Sequence, residues 1–369
     1  MSEKRILFLT TSIGTGGVGN QLYNISTNLQ HHGYKIKIIS LRPVGRFGEK
    51  TAASGIDVQT IGLKNKLMAP LALYKIRQAI QSYEPHIVHT HLFHATILGR
   101  IAAVETGAST ITTVHSTYEK ERKEHETTIR DHLYSTTDGF CDLTTFVGKV
   151  ARDRYIRVGA VPKEKAVHVY NGVDTDYFYP NAIENNRNGK FEWIIVGNLL
   201  KHKGHKSLLQ ALYLLSKRDH KFHLYIVGGG ELEEELKQIA SDLCITNHVT
   251  FEGRVFPREV PNYLRSADGF VLSSLREGFG LVVAEAMACE LPVVATNTGG
   301  PSEIVDDGKT GFLVEKGSPK DLADKMQKVM DLPPEDRDVF GKYGRQRIKD
   351  HYSLEQTVSE WIDIYEQYS

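Results

Sequence analysis

The sequence predicts an α/β protein made of two doubly wound domains. Short β-rich runs alternate with helical patterns, the alternation restarts after a polar stretch, and a glycine-rich loop follows the first strand of each half. A chain of 369 residues also exceeds what one ordinary hydrophobic core needs. We therefore expect domains at 1–172 and 191–350, a junction at 173–190 and a C-terminal helix within 351–369.

The first half begins with a buried strand at 6–9 and a helix whose apolar residues recur from Val18 to Leu29. The next predicted elements are a strand at 35–41, a helix at 71–82, a strand at 86–90, a helix at 94–104, a strand at 110–114, a charged helix at 119–135, a strand at 141–146, a helix at 147–158 and a strand at 166–170. This alternation is typical of a parallel sheet with helices on both faces.

The second half starts after 181–190, a polar, asparagine-rich stretch that predicts a linker or an exposed loop. Its predicted elements are strands at 191–196, 222–227, 249–252, 269–272 and 293–296, a helix through 208–215, an acidic helix after 228–230, helices near 319–330 and 335–350, and a last helix with Val358, Trp361, Ile362 and Tyr365 on one face. Two such domains predict a cleft between them that holds a ligand.

The composition argues against several classes of protein. Lys plus Arg and Asp plus Glu number 45 each, so no overall basic field favours nucleic acid. The three cysteines, Cys141, Cys244 and Cys289, are too few and too far apart for a disulfide framework. No apolar run approaches the ~18 residues of a membrane span, and the N-terminus lacks the pattern of a signal peptide. We expect a cytoplasmic protein.

The most informative stretch is 274–288, where a glycine-rich loop turns into a helix. Glu277 lies on the loop and Glu285 lies eight residues later on the helix. Between them, Gly278, Phe279 and Gly280 leave backbone N–H groups at the helix start, where an anion is favoured. Two carboxylates beside an anion site suit a ligand that carries hydroxyls and phosphate, such as a sugar nucleotide. The alternative is two ordinary solvated glutamates.

Two further positions are candidates for binding residues. His115 directly follows the strand 110–114, at the edge of the sheet where open α/β sheets bind ligands. Lys203 lies in the loop 197–204 ahead of a helix, a combination that suits a diphosphate. The alternatives are a histidine that caps the next segment and an ordinary surface lysine.

Other patterns give weaker signals. The glycines of 14–19 follow the first strand, where doubly wound sheets bind phosphate, but they do not match GxGxxG, and the alternative is a turn with positive φ. The histidines of 86–94 lack the cysteine or carboxylate of a fuller metal site. Asp174 and Asp176 resemble a metal-binding DxD, although a turn is the better interpretation. The charged stretch 118–130 predicts a solvated helix face rather than a lipid-binding surface.

Over nearly its whole length the chain resembles the retaining group 1 glycosyltransferases (family four), which have the GT-B fold of two Rossmann-like domains facing across a cleft. The matching motifs are Glu-x7-Glu at Glu277 and Glu285, Gly197-Asn198-Leu199 with Lys203-Gly204, Asn171-Gly172-Val173-Asp174, Gly299-Gly300-Pro301-Ser302-Glu303 and Thr310-Gly311-Phe312-Leu313-Val314. Gly16 and Gly17 fall where the family's N-terminal loop approaches the donor phosphate.

The resemblance implies a role for each of these residues. Glu277 and His115 would be the catalytic residues near the donor sugar, Glu285 would hold the ribose, and Lys203 would neutralise the diphosphate. The implied donor-binding residues are Gly16, Gly17, Asn198, Lys203, Gly253, Arg254, Val255, Gly278, Phe279, Gly280, Leu281 and Glu285. The last helix, near 354–367, would pack on the first domain. No metal and no other cofactor is expected.

One position departs from the family. Many members carry arginine where this chain has Asn198, and an amide brings no charge to the diphosphate. Stabilisation of the leaving group would therefore depend more on Lys203. Lys201 or Lys206 would be the alternative source of positive charge.

The implied reaction moves a hexosyl or N-acetylhexosaminyl group from a nucleoside diphosphate sugar, preferably UDP, to an acceptor hydroxyl with retention of configuration. Analogy favours a lipid-linked saccharide in cell-surface polysaccharide biosynthesis as acceptor, recognised by loops at 42–70 and 116–135. The enzyme would then be free in the cytoplasm or peripheral at the inner face of the plasma membrane. The alternatives are a non-hydrolysing sugar-nucleotide epimerase and a non-catalytic nucleotide-sugar-binding protein.

Overall fold

The computed structural model describes residues 4–14, 16–63, 68–115, 127–181, 189–218 and 220–369. The chain divides into two compact units. The first comprises Met1–Gly172 together with Leu354–Ser369, and the second comprises Val173–Ser353. Each unit is built on a parallel sheet with helices, which confirms the predicted class of two doubly wound α/β domains.

The first unit has a seven-stranded sheet in the order β3-β2-β1-β4-β5-β6-β7, with every neighbouring pair parallel. Its strands are β1 (Arg5–Thr10), β2 (Lys35–Ser40), β3 (Asp57–Thr60), β4 (Ile87–His91), β5 (Ser109–Val114), β6 (Leu143–Phe146) and β7 (Ala166–His168). The strand order reverses between β1 and β4, so the loops after these strands meet at the carboxyl edge of the sheet.

Helices cover both faces of this sheet. They are α1 (Gly17–His31), α2 (Arg46–Ala53), α3 (Ala69–Tyr83), α4 (Phe93–Ala102), α5 (Ile129–Thr136), α6 (Lys149–Arg157) and α14 (Leu354–Tyr368). Ile6 and Phe8 of β1 belong to the core that contains Trp361 and Tyr365 of α14. Leu7 of the same strand belongs to the opposite core, because successive strand residues point to opposite faces.

The second unit has a six-stranded parallel sheet in the order β10-β9-β8-β11-β12-β13. Its strands are β8 (Phe191–Val196), β9 (Phe222–Val227), β10 (Val249–Gly253), β11 (Gly269–Leu272), β12 (Val293–Thr296) and β13 (Gly311–Val314). Its helices are α7 (His205–Ser216), α8 (Glu233–Asp242), α9 (Val260–Arg265), α10 (Leu281–Ala288), α11 (Pro301–Ile304), α12 (Pro319–Asp331) and α13 (Pro334–His351). Within the described ranges, no helix combines the length and apolar character needed to cross a membrane.

Several short elements correct the sequence prediction. The interval 42–70, expected as a loop, contains α2 and β3, and the strand β13 was not predicted. Each has a weak sequence pattern, since α2 buries only Phe47, Gly48 and Thr51, and β3 is a largely exposed edge strand. The predicted helix at 119–135 is described only as α5, and residues 116–126 lie outside the described part, as do residues 182–188 of the predicted linker.

Candidate functional site

The strand order of the second unit brings three glycine-containing loops together. The order of the parallel strands reverses between β8 and β11, and β12 lies next to β11. The loops that follow these strands, at 197–204, 273–280 and 297–300, therefore emerge side by side at the carboxyl edge. Ligands of open α/β sheets bind at such a reversal.

The first of these loops carries Lys203. It ends in a short 3₁₀ turn, Lys201–Lys203, and Gly204 follows with φ of 69°. A Cβ on Gly204 would lie 2.0 Å from the carbonyl oxygen of Ser273, so only glycine allows this backbone approach. The Ser273 hydroxyl donates a hydrogen bond to the Lys203 carbonyl oxygen at 3.0 Å. The backbone that carries Lys203 is thus fastened to the loop after β11.

Glu277 accepts two hydrogen bonds on one oxygen. Its Oε1 lies 2.5 Å from Lys203 Nζ and accepts from Ser274 Oγ at 2.8 Å. The exposed fractions of the Lys203 and Glu277 side chains are 20% and 11%. Glu277 Oε2 accepts no hydrogen bond from any residue that the structure describes, so one carboxylate oxygen is anchored while the other is available to a ligand.

The N-terminus of α10 directly follows Glu277. Gly280 precedes the helix with φ of 84°, and no side chain caps the helix start at Leu281. The first N–H groups of a helix have no partner within it, and an anion is favoured there. Phe279 turns its ring into the unit against Tyr352, 5.9 Å between centroids, while Gly278 is half-buried beside it.

Glu285 lies one turn into α10, and the residue is 6% exposed. Burial raises its pKa to about 7, because a charged carboxylate loses solvation inside the protein. No described residue donates a hydrogen bond to this carboxylate. A buried carboxylate without a donor is costly to the fold and is suited to accept hydrogen bonds from ligand hydroxyls.

The remaining positions predicted in this unit line the neighbouring strand ends. Gly253 ends β10 with φ of 70° and Val255 is half-buried two residues later. The exposed Arg254 side chain lies over Gly229, where a Cβ would be 2.7 Å from Arg254 Cγ. Asn198 is exposed after β8.

Gly16 and Gly17 are both exposed at the start of α1 in the first unit. Gly16 has φ of −86° and neither glycine has positive φ, so the alternative of a turn that requires φ above zero is wrong. A Cβ at either position would meet no atom within 4 Å. Packing would therefore also allow a larger residue at these two positions. No side chain caps the start of α1.

His115 follows β5 and is half-buried at the carboxyl edge of the first sheet. Its Nε2 lies 2.9 Å from Nδ1 of His91, the last residue of β4. Burial lowers the pKa of His115 to about 4 and places that of His91 well below its ordinary value. Both imidazoles are therefore neutral near pH 7.

The other histidines of 86–94 do not converge on a metal site. Both ring nitrogens of His89 are hydrogen-bonded, one to Tyr365 Oη and the other to Thr113 Oγ1, each at 2.7 Å. His86 Nδ1 accepts a hydrogen bond from the Arg5 N–H at 3.1 Å. Among the described residues, no three His, Cys, Asp or Glu side chains form a group that could hold a metal ion. Asp174 Oδ1 accepts from the N–H groups of Asp176 and Tyr177, which confirms the predicted turn.

The structure thus brings Lys203 and Glu277 into direct contact and places Glu285 on the helix that follows. It adds Ser273 and Ser274, which the sequence did not single out, and His91, which the sequence analysis weighed only as one of the histidines of 86–94. Ser274 bonds Glu277 three residues later on the same loop, and serines at such positions are too common to mark a site. Ser273 and His91 bond residues that follow other strands, so only the order of strands in the sheet could have indicated those two contacts.

Two family models match the chain. The model described as Glycosyltransferase Family 4 matches residues 15–177, and the model described as Glycosyl transferases group 1 matches residues 181–347. The two matches follow one another along the chain and leave uncovered only residues 1–14, 178–180 and 348–369.

The curated relatives include glycosyltransferases from several microorganisms. The putative glycosyltransferase EpsD of Bacillus subtilis is 29% identical over 314 residues, which are 81% of each chain. A GDP-mannose-dependent α-(1-6)-phosphatidylinositol monomannoside mannosyltransferase of Mycolicibacterium smegmatis is 37% identical over 188 residues. That match spans 47% of this chain and about half (49%) of the mannosyltransferase.

Solved structures of the same architecture match the chain end to end. HepE of Anabaena in complex with UDP has a TM-score of 0.86 at 20% identity, and the match covers 98% of this chain and 100% of HepE. The sucrose-phosphate synthase of Thermosynechococcus elongatus has a TM-score of 0.81 at 20% identity, with 99% of both chains covered. These matches confirm the predicted GT-B fold.

Proposed function

Because the chain belongs to the group 1 glycosyltransferases, we propose that it transfers a hexosyl or N-acetylhexosaminyl group from a nucleoside diphosphate sugar to an acceptor hydroxyl, with retention of configuration. The observation that supports this most is the contact between Lys203 and Glu277 beside the uncapped start of α10. A cation, an anion-binding helix end and a carboxylate with one open oxygen match a diphosphate attached to a sugar.

Each group has a proposed role toward the donor. The Lys203 ammonium neutralises charge on the diphosphate, and the N–H groups at Gly280 and Leu281 donate hydrogen bonds to it. Both stabilise the diphosphate as it gains charge when the glycosidic bond breaks. Glu277 accepts a hydrogen bond from a sugar hydroxyl through Oε2. Glu285 accepts hydrogen bonds from the ribose hydroxyls, which supply the donors that its carboxylate lacks in the protein.

The remaining predicted residues complete the donor site. Gly253, Arg254 and Val255 border the base, and Asn198 lies near the diphosphate. The N–H groups of Gly16 and Gly17, two exposed residues at the start of α1, suit a phosphate oxygen because neither residue carries a side chain that would block it. His115 contacts the donor sugar.

The chemical step requires stabilisation of an oxocarbenium-like centre and of the leaving diphosphate. We propose that the acceptor hydroxyl attacks the anomeric carbon on the face that the diphosphate leaves. The bond from the anomeric carbon to the diphosphate oxygen breaks, and a diphosphate oxygen takes the acceptor proton. No carboxylate is assigned as a covalent nucleophile, which separates this scheme from that of retaining hydrolases.

We propose the donor and the acceptor from the chemistry of the site and from the ligands named for similar proteins. UDP is our choice of nucleotide, supported by the binding of UDP and of UDP-glucose to HepE, whereas the mycobacterial relative uses GDP-mannose. The phosphatidylinositol-linked acceptor named for that relative supports a lipid-linked saccharide here. We propose that the reaction belongs to cell-surface polysaccharide biosynthesis, that the enzyme works in the cytoplasm at the inner face of the plasma membrane, and that it needs no metal.

The test is the release of nucleoside diphosphate from a panel of UDP-, GDP- and ADP-sugars by the full-length protein, with and without EDTA. We expect slow hydrolysis of one donor, unchanged by EDTA and reduced roughly 10²-fold or more in Glu277→Gln and His115→Ala. Glu234→Gln, at a highly exposed carboxylate on α8, is the matched control and should keep full activity.

Two other outcomes contradict the proposal. Recovery of an epimerised donor would indicate a sugar-nucleotide epimerase. Tight donor binding without turnover on any saccharide acceptor would indicate a non-catalytic binding protein. Loss of activity in EDTA would overturn the metal-free scheme alone.

A further inference from the structure

His91 and His115 form a hydrogen-bonded pair of neutral imidazoles. His91 ends β4 and is 2% exposed, and its Nδ1 lies 2.9 Å from His115 Nε2. The ring centroids are 5.2 Å apart. Since both rings are neutral, one N–H must lie between these two nitrogens, and it belongs either to His91 or to His115.

The second ring nitrogen of His91, Nε2, decides between these two arrangements. His91 Nε2 is buried and has no hydrogen-bond partner among the described residues. If His115 donated to His91, the proton of His91 would sit on Nε2 as a buried N–H without an acceptor. If His91 donates from Nδ1, its Nε2 carries no proton and is a buried acceptor without a donor. Buried unpaired N–H groups are rarer than buried acceptors without a donor, so the second arrangement is favoured.

The surroundings hold the His91 ring in place. It packs against His89 at 4.2 Å and against Phe8 at 5.5 Å between centroids. His89 is itself fixed, because Tyr365 Oη and Thr113 Oγ1 occupy both of its ring nitrogens. A rotation of His91 that broke its hydrogen bond to His115 would have to disturb this packing.

This arrangement defines the state of His115. Its Nε2 accepts from His91, so the ring proton of neutral His115 is on Nδ1. Within the part of the chain that the structure describes, no residue accepts a hydrogen bond from this nitrogen. His115 therefore presents an N–H donor at the carboxyl edge of the sheet.

We propose that His91 is a positioning residue that keeps His115 in the Nδ1–H tautomer, so that His115 donates a hydrogen bond to an oxygen of the donor sugar. This inference rests on the proposed function, which puts His115 at that sugar. His115 then takes no proton during the reaction, in agreement with a scheme in which the diphosphate accepts the proton of the acceptor hydroxyl.

The direct test is a long-range ¹H–¹⁵N correlation spectrum of the full-length protein labelled at histidine nitrogen. The signals of His115 are assigned by their loss in His115→Gln. We expect a protonated Nδ1 and an unprotonated, hydrogen-bonded Nε2 at pH 7.5. A wild-type spectrum with the proton on Nε2 overturns the inference, and this readout does not depend on activity.

Two isosteric variants separate positioning from packing. An asparagine amide can occupy the place of His91 Nδ1, whereas a glutamine amide reaches the place of Nε2. We expect His91→Asn to keep the His115 tautomer and most of the turnover. His91→Gln should populate the Nε2–H tautomer and lower turnover roughly tenfold. Equal losses in the two variants, with the tautomer unchanged, contradict the proposal.

A double variant distinguishes failure of this inference from failure of the proposed function. If His91 acts through His115, His91→Gln causes no further loss of turnover in a His115→Ala background. Multiplicative losses overturn the positioning role. If His115→Ala alone keeps full turnover, the assignment of His115 to the sugar is wrong. The tautomer of His115 then has no catalytic use, even if the spectrum shows the expected proton on Nδ1.

Discussion

Glu285, for which we propose contact with the ribose, has a cost to stability. It is buried on α10 without a hydrogen-bond donor from the described residues, and burial raises its pKa from 4.5 to about 7. The folded state therefore binds this proton more tightly than the unfolded state does. The resulting stability is fully present below pH 4.5 and is lost as the pH rises through 7.

Replacement of Glu285 by glutamine should stabilise the protein increasingly as the pH rises from 4.5 to 7, with little further change above pH 7. We expect Glu285→Gln to raise the free energy of unfolding at pH 8 by up to roughly 3 kcal/mol and to change it little at pH 4.5. Denaturant unfolding at the two pH values measures this, with the exposed Glu234→Gln as control. An effect of Glu285→Gln that does not change with pH would show that the carboxylate is not protonated near pH 7.

Ser274 orients Glu277 through a hydrogen bond of 2.8 Å to Oε1. Its removal leaves Lys203 as the only described donor to that carboxylate, so Oε2 is held less firmly in the orientation that we propose for contact with the sugar. We expect Ser274→Ala to lower kcat/KM for the donor roughly three- to tenfold with little loss of stability. Ser266→Ala, at an exposed hydroxyl that bonds the Tyr263 carbonyl, is the control. Equal kinetics in both variants would remove Ser274 from the site.

At the scale of elements, the site depends on backbone contacts between three loops. Besides the approach of Gly204 to Ser273, the loop after β12 touches the loop after β11. A Cβ on Gly299 would lie 2.1 Å from the Glu277 carbonyl oxygen, and Gly299 has φ of 44°. The position of Glu277 is thus set by a glycine more than twenty residues away.

Substitution of Gly299 should displace Glu277. We expect Gly299→Ala to lower donor turnover by an order of magnitude or more, because the loop after β11 must shift to admit the methyl group. Gly308→Ala is the matched control, since Gly308 has φ of 79° but a Cβ there would meet no atom within 4 Å. If both variants lose the same activity, backbone strain rather than loop contact is responsible.

The sequence predicted elements with strong patterns and missed those with weak ones. The strands Phe191–Val196 and Phe222–Val227 are continuous β-rich runs, and their predicted bounds are those observed. The strand Gly311–Val314 has only four residues, too few for a clear sequence pattern, and it is recognised as a strand by its pairing with β12 in the folded sheet. The Glu277 and Lys203 positions followed from motifs, whereas the contacts of Ser273 with Lys203 and of His91 with His115 depend on which strands lie side by side.

At the scale of the whole molecule, the two units respond differently to pH. The first unit holds three neutral imidazoles, of which His89 and His91 are buried and His115 is half-buried, and loss of solvation lowers the pKa of each. The folded state of this unit therefore binds fewer protons than the unfolded state. The stability that these histidines contribute is present above pH 6.5 and is lost as the pH falls toward 4.

Acid should accordingly open the first unit at its histidine cluster. We expect amide hydrogen exchange in β4, β5 and α14, corrected for the intrinsic pH dependence, to show lower protection at pH 5 than at pH 7.5. His89→Gln should reduce this difference, because it removes one buried ionisable ring while an amide can still bond Thr113. Protection that is unchanged between the two pH values would contradict the account of neutral buried rings.

The central claim is that the loop edge of the second unit binds the diphosphate of a sugar nucleotide through Lys203. Calorimetric titration of the full-length protein with UDP, GDP and ADP tests this most directly, with Lys203→Ala beside Lys237→Ala, whose lysine pairs with Glu233 and Glu234 on the exposed face of α8. We predict that one nucleotide binds and that Lys203→Ala weakens its affinity roughly 30- to 100-fold while Lys237→Ala does not change it. Equal affinity in wild type and Lys203→Ala would contradict the claim.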